Sequence, residues 1–168
     1  LVFQLTDEIK AQRELTEAES DELKVFWEPL GSSQALSIVL SSYREHEVAR
    51  DRIVLLDPAA ADTVFSSDRT LLARVLGNMV KNALEASRPG DTITGTCLAD
   101  GDSVEFRIHN PGAIPREVQL QIFQRSFSTK GRGRGLGTYS IRLLTERYLK
   151  GHAWFTTSPD AGTTFHVR

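Results

Sequence analysis

Residues 128–137 read Ser-Thr-Lys-Gly-Arg-Gly-Arg-Gly-Leu-Gly, with four glycines and three cations in ten positions. Glycines expose backbone N–H groups and the cations add charge. The chemistry this offers is the binding of an anion, above all a polyphosphate, where the loop runs into a helix. Two familiar phosphate loops are excluded by spacing. A dinucleotide fingerprint, G-x-G-x-x-G, would need glycine at Leu136 or Thr138, and a Walker A loop needs a Lys after its last glycine, where none stands. A flexible basic linker or an Arg-Gly tract for RNA shares this composition, but the tract is short and joined directly to an amphipathic helix, which does not suit RNA.

A second constellation lies in residues 68–86, where Asn78 and Asn82 stand four apart on one side of a helix, in line with Arg74 and Glu85. Asn is a mediocre helix former, so two on one side ask for a reason. An amide carbonyl is an oxygen ligand for Mg²⁺, an ion that keeps most of its waters when it also holds substrate phosphates. A solvated polar face is the alternative. The third is His109-Asn110-Pro111-Gly112-Ala113-Ile114-Pro115 at the end of a strand. A polar side chain followed by a glycine that allows close approach suits the reading of a base edge, although an ordinary Asn-Pro-Gly turn has the same residues.

The elements needed to hold these residues are legible from periodicity and turn chemistry. A short strand is expected at 25–27, ending at Pro29, and a helix from Ser32 to about Glu45, striped by Leu36, Val39, Leu40 and Tyr43. Short strands at 52–56 and 63–65 flank Asp57-Pro58, and the helix at 68–86 buries Leu72, Val75, Leu76, Met79, Val80 and Ala83 before Arg88-Pro89-Gly90. Strands at 92–98 and 103–109 are joined through Asp100-Gly101, a hairpin signal whose two positions tolerate positive φ. One or two helical turns within 115–127, a helix at 136–149 stopped by Lys150-Gly151, and a hairpin of 152–157 with 163–167 complete the chain. The sum is an α/β protein: a two-layer sandwich with a mixed sheet of about five strands and three helices on one face.

Bulk composition narrows the function. With 168 residues, 40% of them hydrophobic, the chain is long enough for one domain with a short appendage. Twenty Lys and Arg against 22 Asp and Glu give a net charge of -2, so no global basic field attracts nucleic acid or an anionic membrane, and any anion site must be local. The single cysteine, Cys97, excludes an internal disulfide and a multi-thiolate zinc site, and fits a cytoplasmic protein. The longest purely apolar run, Ile53 to Leu56, is far short of a bilayer span. Residues 1–20 read as the end of a longer helix. Its apolar start, Val2, Leu5 and Ile9, is expected to pack on a partner outside the chain, the alternative being a helix folded back on its own domain.

Taken together, the segments resemble the catalytic and ATP-binding domain of sensor histidine kinases, of the GHKL or Bergerat-fold superfamily. The resemblance rests on five stretches in order: an N box, Asn78-Met79-Val80-Lys81-Asn82-Ala83; a first glycine box, Asn110 to Pro115; an F box, Phe123 to Phe127; a second glycine box, Gly133-Arg134-Gly135-Leu136-Gly137; and Gly162-Thr163-Thr164-Phe165. It implies an ATP-binding domain over 22–168 and, over 1–20, the end of a dimerising helical hairpin. It implies a lid from Phe127 to Gly135, Asn82 on Mg²⁺ and Asn78 near the phosphates. Lys81, Lys130, Arg134 and the backbone of Gly133, Gly135 and Gly137 would surround the triphosphate. Ile114 and Leu136 would line the adenine slot beside Gly112, and Thr163 would stand beside the base-reading residue. The activity implied is transfer of the γ-phosphoryl group of Mg-ATP to a histidine outside the chain, for relay to a response regulator. The parent would be a homodimer, either free or anchored to a membrane.

Three departures from the family pattern bear on that reading. Where the family has Asp-x-Gly-x-Gly, with the Asp accepting from the adenine amino group, this chain is one residue shorter and reads Asn110-Pro111-Gly112-Ala113; Asn110 takes the Asp role, or His109 does if no gap is placed. Glu85 stands where many members carry a basic residue. The lid is short. His46-Glu47-Val48-Ala49-Arg50 begins like a phosphoacceptor motif but lacks its Thr or Asn and Pro, so His46 is expected to be a surface histidine.

Overall fold

The alternation of Val104, Phe106 and Ile108 with Glu105, Arg107 and His109 becomes one long strand in the computed structural model, which describes residues 12–13, 15–125 and 136–168. Among the described residues the strands are β1 Glu28–Gly31, β2 Ile53–Leu56, β3 Val64–Ser67, β4 Thr92–Asp100, β5 Ser103–Asn110, β6 Ala153–Ser158 and β7 Gly162–Val167. The helices beyond the N-terminal segment are α1 Ser32–Arg44, α2 Arg69–Ala86, the single turn α3 Arg116–Gln119, and α4 Leu136–Leu143. Five strands form a mixed sheet in the order β2-β4-β5-β7-β6, parallel between β2 and β4 and antiparallel elsewhere, while β1 and β3 make a separate two-stranded ribbon.

The core lies between the sheet and the layer of α1, α2 and α4. From the helices it takes Leu36 and Leu40, then Val75, Leu76, Met79, Val80 and Leu84, then Ile141; from the sheet come Ile93, Cys97, Phe106, Ile108 and Phe165, each at most 5% exposed. The stripe expected on residues 68–86 is the stripe that is buried. Gly95 lets α1 settle on the sheet, because a Cβ there would come within 2.8 Å of Leu40 Cδ1. Asp68 caps α2: one carboxylate oxygen accepts from Leu71 N at 2.9 Å and the other from Phe26 N at 2.8 Å, tying the incoming chain to the helix start. Burial pushes the Cys97 thiol pKa up. No helix among the described residues is long and apolar enough to cross a membrane.

The structure corrects three expectations. The first strand is 28–31 rather than 25–27 and includes Pro29, which a two-stranded ribbon tolerates because alternate amides point away from the partner. The β4–β5 turn is centred on Gly101-Asp102, not Asp100-Gly101: Asp100 pairs with Ser103 in the ladder, and of the two central residues only Gly101 has positive φ, at 60°. The long helix expected over 136–149 widens after Leu143 into a π-helical turn, Leu144–Tyr148, with Leu149 N donating to Leu144 O at 3.0 Å; Lys150, not glycine, then takes the left-handed conformation, at φ 59°.

Val2, Leu5 and Ile9 lie outside the described residues, but helical residues 15–19 fold back on the chain's own domain. Leu15 and Ala18 are 1% exposed, and Tyr148 Oη donates to Ala18 O at 2.6 Å. Arg125 grips Glu19 through two bonds of 2.5 and 2.9 Å, which holds the guanidinium pKa up. Burial and then the Glu19 carboxylate push the Tyr139 hydroxyl pKa up. The polar stretch carried too few apolar residues to signal this docking; a Leu, an Ala and a buried carbonyl achieve it.

Candidate functional site

The C-terminal half of α2 carries Asn78 and Asn82, and α4 packs across it. Asn78 Nδ2 donates to Ser140 Oγ at 3.4 Å. Asn82 faces Gly137: a Cβ on that glycine would lie 3.1 Å from Asn82 Oδ1 and 3.4 Å from Nδ2, so glycine is what leaves the amide its space. Asn82 Nδ2 is buried with no hydrogen-bond partner. A buried amide N–H left without an acceptor carries a desolvation cost of about 1–3 kcal/mol, which an acceptor at this position, such as a phosphate oxygen, relieves. Lys81 and Leu136 are half-buried beside them, Lys81 on the same side of α2 and Leu136 at the start of α4.

The other wall is the end of the sheet. The β5–β7 register pairs Asn110 with Thr163 and His109 with Thr164. Alternation along β5 therefore turns Asn110 to the helix side, 2% exposed, and His109 to the outer face, where Nδ1 meets Thr164 Oγ1 at 3.1 Å. Asn110 Nδ2 donates to Gly112 O at 3.4 Å, and Oδ1 makes no hydrogen bond among the described residues. Thr163 Oγ1 donates to the same Gly112 O at 2.7 Å and lies 2.8 Å from Thr157 Oγ1, which accepts from Ile114 N at 2.9 Å. This relay anchors the whole 110–114 loop to the β6–β7 hairpin. Gly112 lies against the end of α2, where a Cβ would be 3.3 Å from Ala86 O.

Thus Asn78, Lys81, Asn82 and Gly137 share one wall, while Asn110, Gly112, Ile114 and Thr163 share another, and the last turn of α2 joins them. Lys130, Gly133, Arg134 and Gly135 lie outside the described residues. Ser140 and Thr157 were not singled out from sequence. Thr157 sits opposite Thr163 in a hairpin that the turn residues announce, so strand counting was the available signal; Ser140 carried none. As a fit for a nucleotide with a divalent cation, the donor set is consistent: amide oxygens suit a hard cation, and Asn110 Oδ1, without a hydrogen bond among the described residues, suits an amino group.

Residues 67–168 match the family model of the histidine kinase-, DNA gyrase B- and HSP90-like ATPases, more than half of the chain. The chain belongs to this family. Among curated relatives in it, the adaptive-response sensory kinase SasA of Rippkaea orientalis is 28% identical over 169 residues, 96% of this chain and 42% of that protein. The histidine protein kinase SaeS of Staphylococcus aureus (strain MSSA476) is 30% identical over 145 residues, 80% of this chain and 40% of that one. The catalytic domain of histidine kinase ThkA, in a nucleotide-free form, superposes with a TM-score of 0.75 at 26% identity, covering 84% of this chain and 93% of that structure. The Acinetobacter baumannii histidine kinase AdeS shares the fold at a TM-score of 0.78 and 20% identity, over 99% of this chain and 78% of the other. The α/β sandwich is therefore that of the histidine kinase catalytic domains. The chain spans less than half the length of the curated relatives it matches.

Proposed function

We propose that this chain is the ATP-binding catalytic domain of a two-component sensor histidine kinase, presenting Mg-ATP so that its γ-phosphoryl group passes to a histidine outside the chain and then to a response regulator. Family membership supports the use of ATP; the roles of Lys130, Gly133, Arg134 and Gly135 rest on the motif resemblance alone, and those of the other residues on the resemblance together with their geometry. The observation that carries those of the described residues is the pairing of Asn82 on α2, its buried Nδ2 without a partner, with Asn110 on β5, its Oδ1 without a hydrogen bond among the described residues, on two walls of one region. Asn110 Oδ1 accepts from the adenine amino group, with Thr163 and Gly112 fixing its loop. Ile114 and Leu136 line the base. Asn82 Oδ1 is the metal ligand, Asn78 and Lys81 face the phosphates, and Lys130, Arg134, Gly133, Gly135 and Gly137 complete their cradle. Mg²⁺, when bound, supplies neutralisation of charge on the phosphoryl oxygens. The protein's own part is to hold the nucleotide still and aim it. The parent acts in the cytoplasm as a homodimer.

Titration calorimetry with ATP and ADP, with and without Mg²⁺, tests this reading. The parent chain is expected to bind only weakly without Mg²⁺, and Asn82→Ala to lose about 1.5–3 kcal/mol in its presence, the worth of a contact to a charged group. Asn110→Ala is expected to lose about 0.5–1.5 kcal/mol, and Asn110→Asp to equal or exceed the parent, because a charged acceptor makes the stronger bond. Equal Mg²⁺-dependent affinity in Asn82→Ala and the parent removes Asn82 from the metal role. Loss of binding only in His109→Ala, with GTP competing equally, removes Asn110 from adenine.

A further inference from the structure

At the end of the sheet that carries Asn110, three side chains stand in a row on the face turned to the helices. Asn110 of β5 pairs with Thr163 of β7, and Thr163 pairs with Thr157 of β6. Residues 111–114 cross over this row, and the hydrogen bonds between loop and row have a single polarity. Ile114 N has only a proton to offer, so Thr157 Oγ1 accepts it at 2.9 Å; Gly112 O has only lone pairs, so Thr163 Oγ1 spends its proton there at 2.7 Å. A hydroxyl carries one proton, which leaves Thr157 as the donor in its 2.8 Å bond to Thr163. The relay runs one way, from Ile114 N through Thr157 and Thr163 to Gly112 O.

What the relay holds in place is a carbonyl. Gly112 O also accepts from Asn110 Nδ2 at 3.4 Å, and the loop lies so close that a Cβ on Gly112 would come within 3.3 Å of both that nitrogen and Ala86 O. An amide, unlike a carboxylate, has two sides: turned one way it offers a base an acceptor, turned the other way a donor. With Gly112 O fixed beside it, a turned-over Asn110 amide would lose its bond and set Oδ1 against another acceptor. Oδ1 is therefore the atom left for a ligand. A purine with an amino group at position 6 meets it with a donor, whereas a purine with a carbonyl there meets it acceptor to acceptor. A site built around one required hydrogen bond rejects the analogue that cannot make it.

Given the ATP site proposed above, on which this step rests, we infer that Thr157 is a positioning residue for purine selection: through Thr163 and Ile114 it holds Gly112 O, which locks the Asn110 amide as an acceptor and makes the site take 6-aminopurine and refuse 6-oxopurine nucleotides. Thr157 acts only through these neighbours.

ADP and IDP differ only at this edge of the base, so the ratio of their affinities reads the lock directly. Titration calorimetry of the 168-residue chain with each nucleotide and saturating Mg²⁺ is the test. The parent is expected to prefer ADP by about tenfold or more. Thr157→Val removes the hydroxyl and leaves Ile114 N without its acceptor, and is expected to lower the ratio roughly threefold or more as Gly112 O and the amide gain freedom. Thr157→Ser, which keeps the relay, is expected to keep the ratio. So is Thr156→Val, whose hydroxyl lies on the outer face of the same strand beside His166. A merely structural role for Thr157 would weaken both nucleotides alike and leave the ratio unmoved. A parent chain that binds neither nucleotide sinks the ATP reading and this inference with it. A parent that binds ADP without preference overturns this inference alone and leaves the ATP reading standing, as does an unchanged ratio in Thr157→Val, a lost ratio in Thr157→Ser, or an equal loss in Thr156→Val.

Discussion

Incubated with γ-labelled ATP and Mg²⁺, the 168-residue chain is expected to take up no label at any of its four histidines. Each is placed wrongly for the part. His46 is exposed, and its Nδ1 accepts from Val48 N at 3.1 Å, capping a turn of 3₁₀ helix. His109 is held by Thr164 on the outer face of the sheet. His152 stacks on Trp154 with ring centroids 5.5 Å apart. His166, 8% exposed, is clamped between Glu105 at 2.8 Å and Thr156 at 3.1 Å, and it stacks on the other side of the same aromatic ladder. None is placed on the walls that hold Asn82 and Asn110. Bringing a nucleophile to a bound phosphoryl group accounts for roughly 7–11 kcal/mol of barrier, so nucleotide binding without an acceptor leaves the rate negligible. Fusing ahead of Leu1 a helical hairpin that carries a His-Glu acceptor motif is expected to restore an acid-labile, alkali-stable phosphohistidine. Stoichiometric label at His46 in the unextended chain, mapped by mass spectrometry, would overturn this. An extended chain that binds ATP tightly and never labels would show instead a module that holds nucleotide without transferring phosphate, for which the Asn at position 110 would be the first residue to examine.

The second large effect is expected at a residue that touches no ligand. Gly162 opens β7 with φ +74°, and a Cβ there would lie 2.3 Å from Asn110 O and 2.8 Å from the Pro111 backbone. Gly162→Ala must therefore strain its own backbone and also push away the end of β5. A loss of about 3 kcal/mol or more is expected, a fall in Tm of roughly 6–12 °C for a chain of this size. Affinity for ADP should fall with it, because the displaced strand carries Asn110 and starts the loop to Ile114. Gly90→Ala is the control. Gly90 also has positive φ, at 89°, but no atom lies within 4 Å of its would-be Cβ, so only the backbone cost of about 1 kcal/mol applies. Equal melting temperatures for the two variants, or full ADP affinity in Gly162→Ala, would sink the coupling between this turn and the wall that carries Asn110.

The contrast between these two glycines shows why sequence reading reaches some features and not others. Both look like turn residues in the sequence. That Gly162 also keeps a Cβ out of the carbonyl of a residue 52 positions earlier depends on how β5 and β7 align. Likewise, an amphipathic period marks where α2 begins and which stripe it buries, because burial of Leu72 through Ala83 is the reason the helix exists. The widening of α4 into a π-turn at Leu144 has no such local signature, because it arises where the helix must meet α2, the N-terminal segment and the C-terminal hairpin together.

Sequence by itself determined the alternation of β4 and β5, the apolar stripes of α1 and α2, the glycine-rich entry to α4 and, through the spacing of its motifs, the family. These are properties of a few neighbouring residues, and local sterics and periodicity suffice to specify them. Alternation with Val104, Phe106 and Ile108 already put Asn110 and not His109 on the apolar side of β5, and tertiary structure added the helix layer that buries it and the Thr164 hydroxyl that holds His109 on the outer face. Tertiary structure also decided that Leu15 and Ala18 fold back on the domain, that Thr157 supports the loop of residues 110–114, and that Thr145 is left with a buried hydroxyl that has no partner among the described residues. Each of these depends on pairs of residues far apart in the chain, whose meeting is settled only when the layers close.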